Sequence, residues 1–153
     1  MKVIVDIFTN KLLMAVLFAW LIAQIAKTII HLLTKKSFKS ERLYGSGGMP
    51  SSHSCGVTTL SICAGKLYGC GSFQFAIATL IAILVIYDAR GVRREAGKHA
   101  KLLNQIIEIA TIKEKVDFDN KLNELIGHSG LQIFAGILLG AIYSTVIILC
   151  GLI

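Results

Sequence analysis

The apolar residues of this chain lie in long blocks, not in the alternation that is typical of a half-buried strand. The first block covers residues 12–33 and the last covers residues 131–153. Each is at least as long as the roughly 20 residues that a helix needs to cross a bilayer. The pattern therefore predicts that both blocks are transmembrane helices.

Two shorter apolar stretches, residues 51–70 and residues 72–90, follow the first polar loop and are separated by a glycine-rich turn. Each is only marginally long enough to cross a bilayer. They reach a spanning length of roughly 20 residues only if the ends that carry His53 and Asp88 are included. This arrangement puts both side chains at the same membrane face, near its boundary.

The region between residues 91 and 130 is polar and basic. Its apolar residues recur at helical spacing, which predicts an amphipathic helix at the membrane interface: Ala96, Ala100, Leu103, Ile107 and Ala110. The expected fold class is all-α, an integral membrane helical bundle of about four transmembrane helices plus this interfacial helix. With 153 residues, we expect a single domain over residues 1–153.

Four crossings put the two long polar loops, residues 34–50 and residues 91–130, on one side of the membrane and both termini on the other. Of the 16 lysine and arginine residues, these loops hold four and seven respectively. Because cytoplasmic loops carry an excess of such residues, we expect this side, with its active face, to be cytoplasmic. We expect the plasma membrane as the location.

Composition narrows the class of partner. The chain is 54% apolar with a net charge of +7, yet few aromatic residues stand among the basic ones to stack on bases, so nucleic acid is not an expected partner. Anionic lipid headgroups or phosphates are the expected partners instead. Gly136 and Gly140 permit close helix packing, and a homo-oligomer stays open.

The usual ligand patterns for metals and nucleotides do not occur. There is no HExxH, no Asp-rich loop and no Walker-type glycine loop, so neither a metal nor a cofactor is expected. The four cysteines form no CxxC pair and lie in or beside apolar segments, where cysteine behaves as a small hydrophobe.

A polar face interrupts the first apolar block. Gln24, Lys27 and His31 are three and four residues apart, which predicts that they share one helix face, turned towards the bundle interior or a wet cavity. Two interpretations of Lys27 stay open. It either snorkels to the headgroups or contacts phosphate inside the protein.

The segment 47–54, Gly-Gly-Met-Pro-Ser-Ser-His-Ser, is a polar turn between two apolar stretches. Pro50 and the small hydroxyl residues can end a loop and cap a helix, whose first backbone N–H groups bind anions. His53 then lies in the first helical turn and adds a titratable group. The alternative, a cap that carries an incidental histidine, has equal weight on these residues alone.

Two further strings join this segment: Asp-Ala-Arg-Gly-Val-Arg-Arg at 88–94, and Gly-His-Ser-Gly-Leu-Gln-Ile-Phe-Ala-Gly at 127–136. Together the three resemble the divergent branch of the type-2 phosphatidic acid phosphatase and vanadium haloperoxidase superfamily. The resemblance covers nearly the whole chain. It implies that His53 acts as a general acid.

The nucleophilic histidine of that superfamily has two candidate matches here. His99 follows Arg93 at the right spacing, but Leu103 stands four residues later, where an orienting group belongs. His128 has Gln132 at that position and an apolar helix after it. The resemblance therefore implies that His128 is the nucleophile, whereas His99 is interpreted as an interfacial basic residue.

The implied function is hydrolysis of a lipid phosphate or diphosphate through a phosphohistidine intermediate, without metal. The phosphate would be bound by basic and hydroxyl side chains: Arg93, Arg94, Ser52, Lys27 and Arg42. Arg42 keeps the spacing of the superfamily's first motif from Lys35, although Leu43 replaces the expected proline. If His53 and His128 flank one phosphate, their imidazoles must lie within about 10 Å of each other.

Gln132 departs from the superfamily pattern, which has a carboxylate there. An amide oxygen can orient an imidazole but cannot balance the charge of an imidazolium. Asp88 or Glu124 could supply the carboxylate. The departure motivates an alternative function, a catalytically weak lipid-phosphate binding or transport module that retains the same pocket.

A membrane phosphotransferase is disfavoured, because Lys101 stands where such enzymes carry an aspartate.

Overall fold

The computed structural model describes residues 2–35, 48–114, 122 and 127–153. Within these ranges the chain forms helices and no strands, as predicted. The helices are α1 (Lys2–Thr9), α2 (Lys11–Lys35), α3 (Ser52–Tyr68), α4 (Phe73–Arg90), α5 (Val92–Glu114) and α6 (Gly130–Leu149). The short helix α1 was not predicted from the apolar pattern, and α6 ends earlier than the predicted block.

Helix α3 lies at the centre of the bundle, where it packs against α2, α4 and α6. Its buried residues are all small: Ser52, Ser54, Cys55, Gly56, Thr59, Cys63 and Ala64. Small side chains let neighbouring helix backbones approach closely, as at many helix contacts in membranes. The core is therefore built from close backbone contacts more than from large apolar side chains.

Helices α3 and α6 run parallel and make the closest of these contacts. A Cβ atom added at Gly140 would lie 2.5 Å from the carbonyl oxygen of Cys55, and one added at Gly136 would collide with that of Ser51. From the contact of Gly136 with Ser51 to that of Gly140 with Cys55, both helices advance by four residues, so they point in the same direction. The amino-terminal ends of α3 and α6 therefore meet at one end of the bundle, which we call the site end.

Helix α2 runs antiparallel to α3. The Cys55 thiol donates a hydrogen bond to the carbonyl oxygen of Ala19 at 3.5 Å, while Cys63, further along α3, packs with Ala15. Helix α4 returns beside α3 after a tight turn, and the hydroxyls of Ser61 and Thr79 join the two helices at 2.8 Å. The carboxyl-terminal ends of α2 and α4 thus also lie at the site end.

By length and composition, three described segments could cross a membrane: Lys11–Thr34, Phe73–Ile109 and Gly130–Leu149. The second contains α4 and most of α5. Helix α3 has 17 residues and rises about 25 Å, less than the roughly 30 Å hydrocarbon core. Three helices surround α3 and bury its residues Ser52, Ser54 and Thr59. The second of the four predicted crossings, residues 51–70, therefore forms a short central helix.

Helix α5 occupies the region for which an amphipathic helix was predicted, and it packs against α4. Four of its exposed apolar residues lie within two turns of one another: Leu102, Leu103, Ile106 and Ile109. The exposed side chains of Lys98 and Glu95 form an ion pair at 2.7 Å. The helix is confirmed, and its location at the membrane interface stays a prediction.

We expect Gly140→Ala to lower the free energy of unfolding by about 1–3 kcal/mol, because the new methyl group forces α3 and α6 apart. The matched control is Gly130→Ala in the first turn of α6, where an added Cβ has no neighbour within 4 Å. Thermal unfolding in detergent compares the two. Equal unfolding temperatures for both variants would contradict the packing described here.

Candidate active site

His53 lies in the first turn of α3, as predicted. Ser51 is the N-cap of this helix, and its side-chain oxygen accepts a hydrogen bond from the backbone N–H of Ser54 at 3.3 Å. Ser51 and Ser52 are buried, whereas His53 is partly exposed. A capped first turn fixes the helix start, and so fixes the direction in which the His53 side chain leaves the backbone.

His128 precedes α6 and is held from two sides. Its backbone N–H donates to the carbonyl oxygen of Ala89, near the end of α4, at 3.1 Å. On its other side, Ser129 and Gln132 form a capping box: Ser129 Oγ accepts from the Gln132 N–H, and Gln132 Oε1 accepts from the Ser129 N–H at 3.0 Å. The His128 side chain is only 2% exposed.

The two histidines meet at one cavity. Their ring centroids are 6.0 Å apart and the ring planes are inclined at 71°. The separation is within the limit of about 10 Å for two imidazoles that flank one phosphate. The cavity has a volume of about 300 Å³ and is lined by His53, Leu84, Val85, Asp88, Ala89 and His128. It therefore combines two bases and a carboxylate with an apolar wall.

Leu84, Val85 and Ala89 were not predicted as site residues. The signal was present, however, because Leu84 and Val85 stand four and three residues before Asp88, a spacing that puts them on the same helix face. Leu84 is 58% exposed, so the apolar wall reaches the outer surface of α4. The cavity therefore extends from the histidines towards the side of the bundle.

Lys27 is 2% exposed and Gln24 is 6% exposed, so the inward direction predicted for the polar face of α2 is confirmed for both. The snorkelling interpretation of Lys27 is wrong. The stem of Lys27 packs against Gly48, where an added Cβ would lie 3.0 Å from both Cγ and Cδ. Since Gly48 precedes α3 by a few residues, Lys27 lies beside the loop that leads to His53.

The other predicted phosphate-binding residues differ in their burial and in how far the structure describes them. Ser52 is buried in the first turn of α3, near His53. Arg94 is exposed in the first turn of α5. At Arg93 the structure describes the helix but not the side chain, and Arg42 lies outside the described residues. Their contact with phosphate stays a prediction.

His99 and Glu124 were the alternatives for the nucleophile and for the orienting carboxylate. His99 is exposed on α5 and is absent from the cavity lining. Glu124 lies outside the described residues. The cavity is lined by the other candidates for these two roles, His128 for the nucleophile and Asp88 for the carboxylate.

Gln132 links the two segments that carry the histidines. Its backbone oxygen accepts from the N–H of Ser51, the N-cap of the His53 helix, at 3.0 Å. Its side-chain oxygen accepts from Ser129, next to His128. The sequence did not predict these capping bonds. A direct role of the amide in orienting the His128 ring stays a prediction.

Over the part of the chain that the structure describes, no group of three or more His, Cys, Asp and Glu side chains is arranged to hold a metal ion. The side chains gathered at the cavity can accept, donate and transfer protons, and an imidazole can also act as a nucleophile.

Comparison with known proteins identifies relatives. Residues 8–143 match the family described as "Divergent PAP2 family". The chain is 33% identical over 152 residues to the uncharacterized membrane protein YuiD of Bacillus subtilis (strain 168), a match that covers 93% of this chain and 96% of that relative. No solved structure matches the chain. With its apolar helices, this relationship identifies the chain as a membrane protein.

We expect Gly48→Ala to be more destabilising than Gly69→Ala. Both glycines have a positive φ, +107° and +84°, so both variants strain the backbone. Only at Gly48 does the new methyl group also press on Lys27, which adds about 1 kcal/mol or more to the loss in the free energy of unfolding. Thermal unfolding in detergent measures both losses. Equal losses would show that Lys27 does not pack against Gly48.

Proposed function

Because the chain belongs to the divergent PAP2 family, we propose that it is an integral membrane phosphatase that hydrolyses a lipid phosphate or diphosphate. The observation that carries the proposal is the pair of imidazoles, 6.0 Å apart, at a cavity that Asp88 also lines. A phosphoryl group that lies in the cavity beside both rings can form a hydrogen bond of roughly 3 Å to each of them.

In the first step, a ring nitrogen of His128 attacks the phosphorus atom and the phosphorus–oxygen ester bond breaks. His53, protonated at the start, gives its proton to the leaving alkoxide, which departs as the alcohol. In the second step, a water molecule attacks phosphorus and gives a proton to His53, and the bond between phosphorus and the His128 nitrogen breaks. Inorganic phosphate leaves, and both histidines return to their initial states. The proposed steps require no metal.

In this proposal, Asp88 supplies the carboxylate that the superfamily pattern has at the position of Gln132. A carboxylate beside an imidazole orients the ring and stabilises the charge that forms on it. Asp88 is half-buried and lines the same cavity as both histidines, which supports this role. Gln132 contributes instead through its capping bonds.

Positive charge stabilises the phosphate oxygens as negative charge builds on them. Arg93, Arg94, Lys27 and Arg42 are the proposed cations, and Ser52 a further donor. The amino-terminal ends of α3 and α6, which meet at the site end, add two aligned positive helix dipoles and support anion binding there.

The apolar wall of the cavity supports a substrate whose hydrocarbon part adjoins its phosphate. Leu84, Val85 and Ala89 form this wall, and exposed Leu84 connects it to the outer surface of α4, where lipid chains lie in a membrane. The excess of basic residues in the two long loops supports a cytoplasmic active face. The proposed location is the plasma membrane.

We expect His128→Ala and His53→Ala to reduce phosphate release from a lipid phosphate by roughly 10²-fold or more, because each removes one step of the proton and phosphoryl transfer. The measurement uses purified protein in detergent with a chelator. The matched control is His99→Ala, since His99 is exposed and outside the cavity lining. In addition, wild-type protein should form an acid-labile phosphohistidine that His128→Ala lacks. Equal release by the wild type and His128→Ala would reject His128 as the nucleophile.

We expect Asp88→Asn to reduce kcat by roughly 10²-fold or more with little change in KM, because the amide cannot stabilise the imidazolium in the transition state. Glu95→Gln is the control: Glu95 is an exposed carboxylate on α5, paired with Lys98 outside the cavity. An unchanged kcat in Asp88→Asn would remove Asp88 from the mechanism.

The second candidate function, a weak binding or transport module, rests on Gln132 in place of a carboxylate. The variant Gln132→Glu is a clean test, because a glutamate oxygen can accept the same N–H of Ser129 and preserve the capping box. Robust turnover by the wild type rejects this function. A wild type without turnover, and a large gain in Gln132→Glu, would favour it over the phosphatase.

A further inference from the structure

Two cavities lie beside the junction of α1 and α2: the first faces the end of α3, and the second faces α6 and the residues that follow it. The first, of about 360 Å³, is polar and includes Asp6, Lys11 and Tyr68 in its lining. The second, of about 270 Å³, is lined mainly by apolar side chains, among them Phe18 and Ile147. Thr9 and Lys11 line both. The two cavities adjoin at these residues, and together we call them the groove, with a polar and an apolar half.

This groove is remote from the histidines. His53 lies in the first turn of α3 and Tyr68 is its last residue, which corresponds to about 22 Å along the helix axis. In a membrane, the groove thus lies in the half opposite the site end. A ligand bound in it occupies the other leaflet and contacts none of the residues that line the histidine cavity.

Most polar groups of the polar half serve local structure. The side chain of Asn10 accepts from the N–H of Leu13 at 3.0 Å and so caps α2, and the Thr9 hydroxyl donates to the carbonyl oxygen of Val5 at 2.9 Å. Asp6 and Lys11 differ. Within residues 2–35, 48–114, 122 and 127–153, neither charged side chain forms an ion pair or a hydrogen bond. One cavity therefore offers a carboxylate and an ammonium that do not bind each other.

This pair of charges selects the class of ligand. A simple anion would be attracted by Lys11 but repelled by Asp6. A simple cation would be attracted by Asp6 but repelled by Lys11. A headgroup that joins a phosphate to an amine satisfies both, with the phosphate on Lys11 and the ammonium on Asp6. The apolar half, with Phe8, Met14 and Phe18, accommodates a hydrocarbon chain on the same molecule.

We propose that this groove binds a zwitterionic aminophospholipid in the leaflet opposite the active site. The ligand is thus a second lipid, distinct from the substrate. The inference is independent of the phosphatase activity, because it rests on Asp6, Lys11 and the apolar groove alone.

Native mass spectrometry of the full chain, released from detergent with added lipid, tests the proposal. Phosphatidylethanolamine and phosphatidylglycerol with identical acyl chains differ only in the headgroup. We expect one phosphatidylethanolamine to be retained per chain, with an apparent affinity about tenfold above that of phosphatidylglycerol, which corresponds to about 1.4 kcal/mol. Equal retention of the two lipids would overturn the proposal.

Variants assign the headgroup contacts. Asp6→Asn should abolish the preference for phosphatidylethanolamine, and Lys11→Gln should weaken the retention of both lipids. Lys66→Gln is the matched control, a lysine in the last turn of α3 that lines neither cavity, and it should change nothing. Unchanged retention in both Asp6→Asn and Lys11→Gln would identify the bound molecule as ordinary surrounding lipid. Thermal unfolding confirms that each variant is folded.

A further variant separates this site from the active site. His128→Ala should retain phosphatidylethanolamine as the wild type does. If His128→Ala loses it, the lipid occupies the histidine cavity and the proposed groove is wrong. Conversely, phosphate release that is insensitive to His128→Ala, together with retention that is sensitive to Asp6→Asn, would reject the proposed phosphatase and leave the groove standing.

Discussion

The parallel contact between α3 and α6 is the constraint on which the site depends. Gly136 and Gly140 let the backbone of α6 reach the carbonyl oxygens of Ser51 and Cys55, which no larger residue would allow. Because the two helices start at the same end, the first turn of α3 and the segment before α6 become neighbours. The 6.0 Å separation of the His53 and His128 rings follows from this register. The link from Ser51 to Gln132 then holds the two helix starts together.

The bilayer imposes the second constraint, since polar groups that face lipid are costly and must be turned inward. The exposed surface of α2, α4 and α6 is largely apolar, whereas Lys27, Gln24 and the serines in the first turn of α3 are buried. Most of these polar groups lie towards the site end, near the cavity of the histidines. The burial of polar side chains that makes the bundle stable in lipid therefore also gathers reactive side chains at one end, where a lipid headgroup can reach them.

The apolar blocks were sufficient to predict α2, α4 and α6, because a run of about 20 apolar residues has few alternatives to a spanning helix. The spacing of Gln24 and Lys27 likewise predicted their burial. Features of the site that depend on tertiary contacts were less predictable from the sequence. The bond from the Ser51 N–H to the backbone oxygen of Gln132 is such a contact, which only coordinates reveal. The capping box of Ser129 and Gln132, by contrast, has a local sequence signature that was missed, because Gln132 was expected to orient an imidazole. Leu84 and Val85 were missed because any lipid-facing helix shows such residues.

In the proposed mechanism, His53 and His128 bind one phosphate together. A titration of the purified protein, with ¹⁵N-labelled histidine, by orthovanadate tests this directly, because orthovanadate mimics the phosphate in the transition state. We expect the imidazole resonances of His53 and His128 to shift together and to saturate at one vanadate per chain, while His99 does not respond. If vanadate perturbs only one of the two rings, or if they saturate separately, the two histidines do not share a phosphate and the proposed mechanism is wrong.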